Sequence, residues 1–181
     1  MNRLIKILKS EDVFQEYQNT PIEKLIEYHN LDKEHQEYDH AELLVGMCMD
    51  NRVYFDIPKN FAYIMRTGGT NLYDLEFQIS FAIGVCGIKY IAITGHTNCG
   101  MSYLQSKKEQ FVSGLISNAG WTKKEAENHF NQLSSKFEVG DEIGYTLNEV
   151  MHLRKQYPKI TIAPLFYKLE DNKLYQIKEK E

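Results

Sequence analysis

Two apolar strands separated by a crossover, in residues 61–94, restrict the fold more than any other feature of the chain. FAYIM (61–65) is a short apolar run that stops at RTGGTN. From Asn71 onward Leu72, Leu75, Ile79, Ala82, Ile83 and Cys86 recur at helical spacing, and Gly87 stands where a helix C-cap would fall. KYIAIT (89–94) follows as a second apolar run. Strand, loop, helix and strand in about thirty residues make a βαβ unit, which requires parallel strands and a right-handed crossover. AELLVGMC (41–48), another apolar run ending in small residues, supplies a further buried strand. In open parallel sheets, sites form beyond the carboxyl ends of the strands. Cys48, the RTGG loop at 66–69 and GHTNCG at 95–100 all fall at such ends.

The flanking sequence is read from its caps and stops. TPIE (20–23) has the form of a capping box with Pro at the first helical position, opening a helix to about Asn30. NLDKEHQEYDH (30–40) reads as a solvated loop, and MNRLIKILKSEDVF (1–14) as a lightly amphipathic helix packed on the body. Beyond Met101 the chain turns polar. TKKE (122–125) opens a helix reaching roughly Ser135, with Trp121 before it as a packing residue. TLNEVMHLRKQYP (146–158) reads as a helix stopped by Pro158, and ITIAPLFYKL and KLYQI flank the turn EDN as a final strand pair. The expected class is α/β, a mostly parallel sheet of four to five strands flanked by helices. No repeat or linker divides residues 1–181, so one domain is expected, with 1–40 as a helical segment packing on the core or on a partner subunit.

Charge and composition narrow the function. The net charge is −4, and lysines are scattered or paired with Glu, as in KKEQ and KEKE, so the clustered cations that phosphate neutralisation needs are missing and nucleic acid is not an expected partner. The charge-free run FQISFAIGVCGI (77–88) is well short of the ~18–20 residues that span a bilayer. Lys6 and Lys9 interrupt what a secretory signal would keep apolar, which points to the cytoplasm. There the cysteines Cys48, Cys86 and Cys99 are more apt to bind metal or react than to form disulfides.

His96 and Cys99 stand three residues apart between two glycines at a strand end. A tight turn puts such a pair on one side, and a soft divalent ion needs at least one more ligand. Cys48 ends another strand, whereas Cys86 lies on the apolar stripe of the crossover helix and reads as core. Cys48, His96 and Cys99 would make a Cys₂His zinc site with an open fourth position, the mark of a catalytic centre. In CMDNR (48–52), Cys48, Asp50 and Arg52 alternate, so in an extended segment they point the same way. Either Asp50 orients a metal-bound water while Arg52 holds its carboxylate, or the two form a loop salt bridge of no consequence.

CMDNR together with GHTNCGM (95–101) resembles the C-x-D-x-R … H-x-x-C signature of the β-class carbonic anhydrases. RTGG is similar to that family's Arg-Asn-Ala-Gly loop, and the resemblance covers roughly residues 41–101 and 140–177. The lack of a long N-terminal extension resembles the family's short branch. The resemblance implies zinc held by Cys48, His96 and Cys99, with Asp50 and Arg52 as a catalytic dyad and Gly68 and Gly69 beside the substrate. It implies a four-stranded parallel sheet with an added strand, in a homodimer or homotetramer whose cleft lies near the subunit interface. The implied reaction is reversible hydration of carbon dioxide to bicarbonate by a zinc-bound hydroxide. In a second state known in the family, Asp50 swings onto the zinc as a fourth ligand and its pairing with Arg52 breaks. Thr67–Gly68 stands where the family has Asn-Ala, and Asn98 where Asp is common. The rival readings are a hydrolase of the same fold acting on carbonyl sulfide or carbon disulfide, a metal-free Cys99 nucleophile activated by His96, and a non-catalytic zinc-stabilised binding module.

Overall fold

The apolar runs all enter one sheet. The computed structural model describes residues 3–179. In chain order the elements are β1 (Leu4–Lys6), α1 (Pro21–Leu31), β2 (Leu43–Cys48), β3 (Ala62–Thr67), α2 (Glu76–Gly84), β4 (Tyr90–His96), α3 (Lys108–Ala119), α4 (Lys123–Phe137), α5 (Glu142–Gln156), β5 (Thr161–Lys168) and β6 (Lys173–Ile177). The strand order is β1-β6-β5-β4-β2-β3. β3, β2, β4 and β5 run parallel, and β6 and β1 complete the sheet antiparallel.

Alternation along the strands feeds two cores. Leu43, Val45 and Met47 of β2, with Ala92, Ala163 and Leu165, pack on Ile22, Leu25 and Ile26 of α1. Leu44, Ile91, Ile93 and Ile162 face the other way, against Ile79 and Ala82 of α2 and Val150 and Leu153 of α5. β2, β4 and β5 are covered on both faces, so they read as continuous apolar runs, not as alternating ones. Each fully buried Leu or Ile contributes about 1.5–3 kcal/mol.

Local signals set the helix starts. Thr122 Oγ1 accepts from the Glu125 amide at 3.3 Å, and Glu125 Oε2 accepts from the Thr122 amide at 2.8 Å, a complete capping box on α4. On α1 the pattern is displaced: Thr20 Oγ1 accepts from Ile22 N at 3.2 Å, and Glu23 takes the amide of Asn19 at 2.6 Å.

Four expectations are corrected. The segment read as an N-terminal helix forms β1 and two 3₁₀ turns, Ser10–Asp12 and Gln15–Tyr17, while Met1 and Asn2 lie outside the described residues. The reason is the open edge of β6, whose backbone groups Leu4–Lys6 satisfy in register with Ile177–Tyr175. That addition brings the sheet to six strands. α3 was not expected: only Val112 of its residues is buried, too little for an apolar period to show. Cys86, read as core, lies beyond the end of α2 and is half-buried. α5 starts at Glu142, earlier than the apolar pattern indicated, because Asp141 caps it by accepting from Gly144 N at 2.8 Å.

Candidate metal centre

Cys48, Thr67 and His96 are the last residues of three adjacent parallel strands. Parallel strands end in one layer, so their terminal side chains gather there. After His96 the chain turns sharply, with Thr97 N donating to Tyr167 O at 3.1 Å and Asn98 in the left-handed region at φ 54°. Asn tolerates that conformation better than most residues, and the turn returns Cys99 beside His96. Cys48, His96 and Cys99 are 3%, 1% and 6% exposed, and an imidazole buried that deeply needs partners for its nitrogens. The two Sγ atoms stand 4.0 Å apart, and one ligand atom from each of the three residues lies within 4.8 Å of the others.

This group fits a divalent metal ion. His96 Nδ1 lies 2.9 Å from the Thr97 carbonyl, which only accepts, so Nδ1 carries the proton and Nε2 presents its lone pair. That Nε2 is buried and has no hydrogen-bond partner. Two thiolates sharing a tetrahedral zinc at about 2.3 Å stand ~3.8 Å apart, close to the spacing found. Contact with Cys99, aided by the His96 ring and the amides of Asp50 and Gly69, brings the Cys48 thiol down to about 4 against the effect of burial. The same contact with Cys48, reinforced by burial, pushes the Cys99 thiol up. Burial pulls the His96 pKa down, but Cys48 and the Thr97 carbonyl outweigh it and leave it raised.

Asp50 and Arg52 sit beside the group on the loop between β2 and β3. Arg52 Nε lies 3.0 Å from Asp50 Oδ1 and Nη2 lies 2.6 Å from Oδ2. The Arg52 guanidinium holds the Asp50 carboxyl well below the usual carboxylate range, at about 2. Asp50 is thus engaged by Arg52 and lies outside the Cys48–His96–Cys99 group.

The loop after β3 also reaches the group, its Gly69 amide facing Cys48, and packs on Met101 and Val139. A Cβ on Gly68 would come within 2.7 Å of Met101 Cε, and one on Gly69, at φ +65°, within 2.3 Å of Val139 Cγ2. A cavity of about 10 Å³ is lined by Gly69, His96, Cys99, Glu142 and Tyr145. Sequence reasoning missed Arg66. Its guanidinium donates to the carbonyls of Cys48 at 3.1 Å, Asp50 at 3.3 Å and Val53 at 2.7 Å. Its place at the head of RTGG was visible, but its partners are backbone groups that no motif spacing displays.

Among solved structures, a carbonic anhydrase from Streptococcus mutans superposes with a TM-score of 0.59 over 95% of this chain and 99% of that one, at 14% identity. The chain has the β-carbonic anhydrase fold. A carbonic anhydrase from Glaciozyma antarctica matches at a TM-score of 0.60 and 19% identity, over 75% of this chain and 80% of the other. The apo form of a carbon disulfide hydrolase shares the fold at a TM-score of 0.55 and 22% identity, over 78% and 80%. No protein-family model and no curated sequence matches the chain. Within the β-carbonic anhydrase fold, the Cys-His-Cys group stands at the carboxyl ends of the parallel strands, where open α/β sheets place ligands.

Proposed function

We propose that residues 1–181 act as one zinc-dependent carbonate dehydratase, a lyase catalysing reversible hydration of carbon dioxide to bicarbonate. One observation carries the reading: a buried Cys-His-Cys group with an orphaned imidazole nitrogen, next to an ion-paired carboxylate, in this fold. Cys48, His96 and Cys99 would hold the zinc. Bound there, zinc supplies a Lewis acid that makes water a nucleophile near neutral pH. Asp50, kept ionised by Arg52, accepts the hydrogen bond of the attacking solvent molecule and turns its lone pair toward the carbon of carbon dioxide. Arg52 also donates to Asn98 O at 3.0 Å, which ties the carboxylate to the turn carrying two of the ligands. Gly68 and Gly69, beside the substrate, let the loop after β3 pack closely on Met101 and Val139 next to the group. The proton released with bicarbonate leaves to solvent.

The same reading makes the protein a cytoplasmic homodimer or homotetramer that acts on a small molecule and binds neither nucleic acid nor membrane. Among the described residues no helix is long and apolar enough to cross a membrane. Subunit association is supported by Tyr63 and Ile64 on the edge strand β3 and by Phe77, Phe81 and Val85 of the α2 region, all exposed.

A second reading, hydrolysis of carbonyl sulfide or carbon disulfide, is favoured by one feature. An apolar cleft of 520 Å³ runs from Gly100 and Met101, next to Cys99, past Leu104, Phe111 and Phe130. Stopped-flow assays on zinc-loaded protein decide between them. Carbon dioxide hydration above the sulfide-release rate supports the first reading, the reverse order supports the second, and stoichiometric zinc with neither activity supports a binding module.

A further inference from the structure

We propose that Arg66 is a positioning residue of the metal centre, holding Cys48 and Asp50 in register by binding the backbone beneath them. The inference rests on the reading that Cys48, His96 and Cys99 bind a divalent metal. Arg66 is paired in register with Met47 across the β2–β3 ladder, one step before the paired strand ends Cys48 and Thr67. From there its guanidinium spans the first turn of the β2–β3 loop. Nη1 donates to the carbonyls of Cys48 and Asp50, and Nη2 to that of Val53. The segment is otherwise held by few main-chain bonds: Met49 N to Thr67 O at 2.8 Å and Val53 N to Asp50 O at 3.1 Å.

Carbonyls that curl toward one point need a donor that can serve several directions at once. A planar guanidinium does so with fixed geometry, whereas an ammonium offers one point charge. Among the described residues no carboxylate pairs with Arg66, so its donors are committed to this turn. Two of the three bound carbonyls belong to Cys48 and Asp50 themselves. A shift of the turn therefore moves a metal ligand and the carboxylate together. Arg52 and Arg66 divide the work: Arg52 orients the carboxylate from its side chain, and Arg66 fixes the main chain from which that carboxylate rises.

The test uses full-length R66Q and R66K, with folding checked by circular dichroism. Zinc release to a competing chelator, the absorption spectrum of the Co²⁺-substituted protein and the split of kcat from KM are then compared with wild type. R66Q is expected to bind one metal ion, release zinc 10- to 100-fold faster, shift its Co²⁺ bands and lose 10- to 100-fold in kcat with little change in KM, the range typical of residues that orient metal ligands. R66K, which keeps the charge and loses the fork, is expected to fall between. Wild-type release and an unshifted Co²⁺ spectrum in R66Q overturn the proposal. If R66Q does not fold, R66K decides by the same two readouts. A wild-type protein that binds metal without hydrating carbon dioxide sinks the proposed activity while release and spectrum still judge Arg66. A wild-type protein that binds no metal overturns both.

Discussion

Arg52 grips Asp50 through both carboxylate oxygens, and its Nη2 also reaches the carbonyl of Asn98. One guanidinium thus joins the loop after β2 to the turn after β4, two segments that meet only in the folded chain. Asn98 suits this place on backbone grounds, since its left-handed conformation turns its carbonyl to Arg52.

Replacing Asp50 by Ala should leave zinc bound at wild-type stoichiometry and lower kcat by about 100-fold or more, the usual scale for losing a positioned acid–base group. Metal analysis beside stopped-flow hydration checks it. An active variant would reduce the Asp50–Arg52 pair to a loop salt bridge.

Removal of one ligand should act on the metal first. Cys48→Ser is expected to purify without stoichiometric zinc and to melt lower than the zinc-loaded wild type, because an ion that binds only the folded state stabilises it by mass action. In the wild type, Cys48 and Cys99 should resist alkylation until a chelator is added, whereas the half-buried Cys86 should label without one. Mass spectrometry of the labelled sites reads the difference.

His29 gives stability a pH dependence. Its ring is buried between Phe55 and Tyr167, at centroid distances of 5.4 and 5.6 Å, and Nδ1 accepts from the Asp56 amide at 3.2 Å. Burial, with the Lys173 charge, holds its pKa below the ordinary value, against the pull of the Asn172 backbone, Asp56 and Asp32. The unfolded chain therefore takes up the proton first as pH falls. The contribution is complete above about 6.5 and is lost as pH drops from there through the lower folded value. Urea midpoints of zinc-loaded protein should decline between pH 7 and 5, and His29→Gln, which keeps an acceptor, should flatten that decline. An equal slope in both proteins would remove His29 as the cause.

Gly69→Ala should cost about 1–3 kcal/mol, because the new Cβ meets Val139 and the residue has positive φ. Val139→Ala in that background should recover the steric part and leave the backbone part. Gly100→Ala is the control, since a Cβ there meets nothing within 4 Å. Thermal midpoints of the three variants separate the two contributions.

What the sequence disclosed follows from the range of the forces involved. The Thr122–Glu125 cap spans a single turn, and the motif shows it directly. Cys48, His96 and Cys99 were legible because apolar runs mark parallel strands and parallel strands end together. β1 was hidden because its pairing depends on the free edge of Lys173–Ile177, at the other end of the chain. α3 was hidden because one buried residue makes no period. Arg66 was hidden for another reason: every residue carries a carbonyl, so only the folded path tells which ones an arginine will bind.

The two ends of the described chain are hydrogen-bonded neighbours. Lys178 N donates to Arg3 O at 2.8 Å, and Arg3 Nη2 donates to Glu179 O at 3.0 Å. Since β6 runs back against β5, this junction lies at the sheet margin opposite His96. A tether attached at Arg3 or Glu179 would hold the molecule to a bead or an electrode by that margin, with the Cys48–His96–Cys99 end of the sheet turned to the flowing solution.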